Sequence, residues 1–257
     1  GLIITGAAKV ENDLEYYPRM GLPFAGTDVN IAAMHDLTSA IHDYGTKIAL
    51  QLSAGLGRQA PLVGAAAPVI SASEIPAFAD PSVTCRSLSV EEIQILIKAF
   101  GAAALRAKEG GFDMVEIHGH VGYLIDQFIS GVWNKRTDEY GGNLDNRMRF
   151  VIELINEIRK KVGPDYPISF RLAVDHGIPC GRSIEESQEI ARRLESAGVD
   201  AIHTDAGCAE SIELIFPTVY MGDACLAYTA RAIKEVVTIP VIAVGNMTPE
   251  TGAEILA

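Results

Sequence analysis

Two rhythms of apolar residues alternate along this chain. Short continuous runs at Leu2–Ala7, Lys47–Leu52, Phe112–Ile117, Ile168–Leu172, Ala201–Thr204 and Val241–Val244 read as buried strands. Between them, Asp28–Tyr44, Val90–Lys108, Asn146–Lys161, Ile184–Ala197, Leu226–Val237 and a stretch from Pro249 onward carry their apolar residues at helical spacing. Phe150, Val151, Leu154, Ile155 and Ile158, for example, share one face of a helix. Helix signals agree with this register. Ser89 with Glu92 and Ser183 with Glu186 form capping boxes, Thr248-Pro249 is an N-cap followed by proline, and Gly110, Gly163 and Gly198 stand where helices should stop.

Strand and helix in strict alternation give repeated βα units on a parallel sheet. The fold class expected is therefore an α/β TIM (β/α)8 barrel, as a single domain over residues 1–257. Six units are visible. A full barrel needs one strand before Gly1 and one further unit after Ala257. The chain opens directly on a strand and closes on a helix just begun, so the expectation is a piece of a longer protein. The long segment Ser53–Ser87, rich in Ala, Pro, Gly and Ser, is expected to be a lid-like loop.

The formal charge of −12 argues against nucleic acid or an anionic membrane as partner, because both reward clustered Lys and Arg. No apolar run approaches the roughly 18 residues of a membrane span. The four scattered cysteines, without a C-x-x-C, suit reduced thiols and a cytoplasmic setting.

In barrels, chemistry sits at the C-terminal ends of the strands. Gln51, His118 and His120, Arg171 with Asp175 and His176, His203 with Asp205, and Gly245-Asn246 all fall there. Two readings of this set stand side by side. In the first, His118 and His120, one residue apart, join His176, His203 and Asp205 in a hydrolytic zinc site. The glycines Gly119 and Gly122 oppose it by suggesting that the strand stops near His118. In the second, an organic cofactor lies across the strand ends. Gln51 then offers a donor and an acceptor to a pyrimidine edge, Arg171 offers a permanent cation, and Gly245 frees backbone N–H groups for a phosphate. His203 reads as a satisfied core or rim histidine, and His176 as a loop surface residue.

The segments "GLIITGAAKV", "KIALQLSAGLGR", "SLSVEEI", "GFDMVEIHGHVGYLIDQFISGVWNKRTDEYGGNLDNRMRF" and "IPVIAVGNM" resemble the old yellow enzyme family of FMN-dependent ene-reductases. The resemblance is nearest to its long-chain branch, with 2-enoate reductase and 2,4-dienoyl-CoA reductase. It implies an NAD(P)H-dependent enzyme that reduces the C=C bond of an unsaturated carbonyl compound, and a possible homo-oligomer. Gln51 and Arg171 would contact the flavin ring, and Gly245 and Asn246 would form half of its phosphate site. The family's H-x-x-H or H-x-x-N pair holds the substrate carbonyl. Here His118 fills the first position, Val121 the second, and His120 stands one residue early. Tyr123 matches the tyrosine that donates a proton in the dienoyl-CoA reductase branch. The Trp-His-Glu run of that branch is absent, and "PTVYMGDAC" is more similar to enoate reductases. The iron–sulfur and FAD segments that follow the barrel in the long-chain branch have no counterpart here. A flavin amine dehydrogenase on the same barrel is the alternative, with Trp133 as the aromatic residue for a cationic amine.

Overall fold

The computed structural model describes residues 1–10, 13–14, 28, 30–62 and 69–257. Its strands are β1 (Leu2–Ile4), β2 (Ala8–Lys9), β3 (Lys47–Ser53), β4 (Ile70–Ser71), β5 (Arg86–Ser87), β6 (Met114–Gly119), β7 (Ile168–Asp175), β8 (Ala201–Ala206) and β9 (Val241–Ile242). Its helices are α1 (Asn30–His42), α2 (Val90–Glu109), α3 (Leu124–Ile129), α4 (Leu144–Val162), α5 (Ile184–Ser196), α6 (Ile212–Ile215), α7 (Ala227–Lys234) and α8 (Pro249–Leu256). Seven strands form one sheet in the order β1-β3-β6-β7-β8-β9, with β2 also on β3, and every pairing is parallel. Helices cross between successive strands, so this is an incomplete (β/α)8 barrel, with β1 and β9 at the edges of the sheet.

The helices form because one stripe of each is apolar and the sheet's outer face is apolar too. Phe150, Val151, Leu154, Ile155 and Ile158 of α4 are all fully buried, in one cluster with Ile93, Leu96 and Phe100 of α2 and Ile117, Phe170 and Leu172 of the sheet. Burying side chains of this size stabilises by about 1.5–3 kcal/mol each before entropy is counted. The starts of α2 and α8 carry the expected caps. Ser89 Oγ accepts from the Glu92 N–H while the Glu92 carboxylate accepts from the Ser89 N–H. At α5 only half of the capping box forms. Ser183 Oγ accepts from the Glu186 N–H, but the Glu186 carboxylate turns to Arg147.

The strand bearing the histidines stops near His118, as the glycines suggest: β6 ends at Gly119, one residue on and opposite Leu172 of β7. Two expectations need correction. The first strand is two short ones, β1 and β2, separated at residues 5–7 and both paired to β3. The segment Ser53–Ser87 is not a structureless loop. It holds the paired strands β4 and β5, although residues 63–68 lie outside the described part. The helix expected over Asp28–Tyr44 is seen over Asn30–His42, and Val29 lies outside the described residues.

Candidate active site

Strand parity decides what faces the barrel interior. In β6, Val115 and Ile117 point outward into the helix layer, and so Glu116 and His118 point inward. The parallel register then places inward residues in rows. Gln51, Glu116 and Ser169 stand in one row, and His118, Arg171 and His203 in the next, nearer the C-terminal ends. Asp205 follows His203 on the same face. This is the sequence's concentration of polar residues, assembled on four adjacent strands, β3, β6, β7 and β8.

The lower row is organised by Glu116, which is fully buried. Gln51 Nε2 donates to its Oε1 at 2.7 Å, Ser169 Oγ donates to Oε2 at 2.9 Å, and His203 Nδ1 lies 2.9 Å from the same Oε2. Burial works to raise the Glu116 pKa. The hydrogen bonds from His203, Gln51 and Ser169 outweigh burial and hold it below the ordinary value. Gln51 thus lies where the sequence placed it, with an unforeseen carboxylate behind it.

In the upper row, Arg171 Nη2 pairs with Asp205 Oδ2 at 2.5 Å, while Arg171 Nε has no partner. The His118 and His120 rings are 4.2 Å apart between centroids, and the Tyr123 ring stacks on His118 at 4.9 Å. The three residues proposed to act on substrate therefore form one contiguous group. His120 Nδ1 comes within 3.3 Å of Asp205 Oδ2 but out of line for a hydrogen bond, so both His120 nitrogens stay unpartnered, as does His118 Nδ1. Burial, reinforced by the Arg171 charge, lowers the His118 pKa to about 4. Burial also pushes His120 well below 6.5, with His118, Arg171 and His203 adding to it. Both imidazoles are neutral at pH 7, each with one N–H to donate.

Gly119 separates the histidines because nothing larger fits. It faces outward, and a Cβ there would lie 2.2 Å from Cζ of the fully buried Phe170 and 3.0 Å from the Arg171 carbonyl. Gly119→Ala is expected to destabilise the protein by about 1–3 kcal/mol through overpacking, read as a lower thermal midpoint. The turn that follows is held from three sides. Asp126 accepts from the Gly122 N–H at 2.8 Å, Gln127 Nε2 donates to the Gly122 carbonyl at 2.6 Å, and Gln59 Nε2 donates to the Val121 carbonyl at 2.6 Å. Val121 is kept at φ +54°, a left-handed conformation that is an outlier for a β-branched residue and belongs with sites where structure overrides local preference.

Gly245 has φ +96°, and a Cβ there would lie 2.7 Å from Leu226 Cγ, so only glycine fits after β9. Asn246 is at positive φ too, and its side-chain amide donates to the carbonyls of Thr218 (2.7 Å) and Gly222 (3.1 Å). Its side chain anchors the neighbouring loop, which leaves any part in phosphate binding to its backbone N–H and that of Gly245.

The zinc reading is not assembled. Among the described residues no group of three or more His, Cys, Asp or Glu converges to hold a metal. His203 is turned to Glu116. His176, expected on a loop surface, is fully buried between Asp126 and Arg182. His203, expected to be satisfied, is satisfied on one side only, for its Nε2 is buried without a partner. Trp133 is no open aromatic face either. It is buried, with Arg58 5.6 Å from its ring and the His176 ring at 4.9 Å. Sequence reasoning missed Glu116 and Asp126. The available signal was parity for Glu116, which shares the face of His118.

Comparison with known proteins places this geometry. The profile of the NADH:flavin oxidoreductase / NADH oxidase family matches residues 1–257. Cinnamate reductase of Clostridium sporogenes is 40% identical over 99% of this chain and 41% of its own length. A 2-naphthoyl-CoA reductase in complex with 2-naphthoyl-CoA superposes with TM-score 0.81 at 28% identity, over 93% of this chain and 38% of that one. Histamine dehydrogenase from Rhizobium sp. 4-9 superposes with TM-score 0.85 at 26% identity, over the whole of this chain and 37% of that one. The chain thus spans about two fifths of each of these proteins.

Proposed function

This chain belongs to the NADH:flavin oxidoreductase / NADH oxidase family, the family of the old yellow enzymes, and from that premise we propose that it forms the substrate-reducing barrel of an NAD(P)H-dependent ene-reductase. The reaction is reduction of the C=C bond of an α,β-unsaturated carbonyl compound, of enoate or enoyl thioester type. The observation that carries this reading is the buried, unpartnered polar surface at the strand ends: His118 Nδ1, both nitrogens of His120, Arg171 Nε and His203 Nε2. Unpaired buried polar atoms cost stability unless a ligand satisfies them. Five such atoms on three adjacent strands fit a planar, polar-edged cofactor with a carbonyl substrate beside it.

FMN, the cofactor of this family, supplies the hydride when bound. Gln51 and Arg171 would hold its ring, and the backbone N–H groups of Gly245 and Asn246, just before α8, would hold its phosphate. His118 and His120 act on the substrate. As neutral donors in a dry site they hydrogen-bond the carbonyl oxygen, and they bind it more strongly as negative charge gathers there. Tyr123, stacked on His118, holds a phenolic proton for the α-carbon. The guanidinium of Arg171 adds positive charge to the site, tempered by Asp205.

The amine dehydrogenase reading draws on the likeness to histamine dehydrogenase, but Trp133 cannot serve it while covered by Arg58 and His176. An absorption titration with FMN tests the main reading. Bound-flavin bands that bleach with NAD(P)H and return on adding an enoate are expected. Failure to bind FMN, or bleached flavin that an enoate does not reoxidise, counts against it.

A further inference from the structure

Glu116 touches neither the carbonyl-binding histidines nor Arg171 directly, yet it determines how the residues of its row present themselves. An ionised carboxylate has no hydrogen to give. All three groups that reach Glu116 must therefore donate to it. Gln51 is compelled to turn its amide nitrogen toward Glu116 at 2.7 Å, which fixes the side on which its oxygen lies. Ser169 spends its hydroxyl proton on Oε2. His203 must carry a proton on Nδ1, which leaves Nε2 buried, unpartnered and on the far side of the ring from Glu116. One carboxylate thus sets an amide orientation and a histidine tautomer. No other charged side chain bonds to Gln51 among the described residues.

We propose that Glu116 is the positioning residue for flavin recognition, fixing through Gln51 and His203 the donor and acceptor pattern that the barrel offers to the pyrimidine edge of the ring. The inference rests on the flavin reading above and extends it to a residue beneath the site. It also accounts for a carboxylate in the middle of an apolar strand, where an unpaired charge is costly. In Glu116→Gln the new side chain has two amide hydrogens. One of them must face Gln51, Ser169 or His203. If it faces Gln51, that amide turns over and offers the site its nitrogen where its oxygen had been.

The test is FMN binding followed by flavin fluorescence and visible absorption, on the parent, Glu116→Gln, Gln51→Ala, the double variant and Ser169→Ala. Glu116→Gln is expected to weaken FMN by about tenfold or more, the loss of a charge-assisted bond, and to shift the bound-flavin bands. In Gln51→Ala, adding Glu116→Gln should cost markedly less than in the parent. Ser169→Ala, which keeps the Gln51 bond, should bind nearly as the parent does and keeps the test decisive if Glu116→Gln does not fold. Equal and independent losses from Glu116 and Gln51, or a Ser169→Ala variant as weak as Glu116→Gln, would overturn the proposal and leave Glu116 a packing element. A parent that binds no FMN would instead overturn the flavin reading, and the inference with it.

Discussion

In the FMN-reconstituted protein, His118→Ala is expected to lower kcat/KM for enoate reduction by about 100- to 1000-fold, the scale seen when one donor to a developing oxyanion is removed. The loss should fall mainly on kcat, because the N–H to carbonyl bond gains strength as hydride reaches the β-carbon and charge moves to oxygen. His120→Ala should cost a comparable factor. Its ring lies against His118 and both its nitrogens are unpartnered, whereas Val121, the next side chain but one from Gly119, has nothing to donate. Tyr123→Phe should lower the rate by about 100-fold or more if the phenol delivers the proton. The pH profile separates this arrangement from one using charged imidazolium. Burial brings the His118 pKa down to about 4 and His120 well below 6.5, so neither ring gains a proton until the pH falls toward the acid end. The rate should show no titration of His118 or His120 between about pH 5 and 8. An inflection near 6.5 that vanishes in His118→Ala would refute the neutral-donor assignment, and a His120→Ala variant at full rate would leave His118 acting alone.

The alternation of βα units, the caps of α2 and α8 and the clustering of polar residues at strand ends were legible in the sequence, because each depends on local period or on a neighbour three residues away. What escaped depends on pairing across the sheet. The bounds of β6, Met114–Gly119 where the apolar run gave Phe112–Ile117, follow from β7 beside it, although Gly119 and Gly122 do mark its end. His176 looks like a loop residue because the sequence does not say that Asp126 and Arg182 close over it. Glu116 could be misread as an ordinary charge at a strand end until Gln51, Ser169 and His203 arrive from three other strands. The same holds for α3, whose six residues are too short for period to declare and which is fully buried directly after the turn that carries Tyr123.

That buried layer carries the larger stability prediction. Asp126, His176 and Arg182 are completely shielded from solvent, with Arg182 Nη2 2.7 Å and His176 Nε2 3.3 Å from the Asp126 carboxylate. The Arg182 N–H donates to His176 Nδ1, so the proton of a neutral His176 sits on Nε2, facing Asp126. Asp126→Ala strands the Arg182 charge in the interior and is expected to cost about 3–5 kcal/mol. Unfolding in urea measures it. Catalysis should fall as well, since Asp126 holds the Gly122 N–H in the turn that aims His120 and Tyr123. Adding Arg182→Met should recover a substantial part of the stability, because a pair removed whole leaves no uncompensated charge. It should not recover the turn, and so activity should remain low. The acid limb of stability gives a second check. Burial tends to raise the Asp126 pKa, but the charge of Arg182 and the hydrogen bonds from His176 and the Gly122 N–H bring it down to about 2. A carboxylate depressed in the folded state adds stability above its unfolded pKa of about 3.9 and loses it as the pH falls through about 2. The parent should therefore weaken steeply over that interval, and Asp126→Ala should weaken less. Parallel acid curves for the two proteins would show that this carboxylate does not hold the turn together.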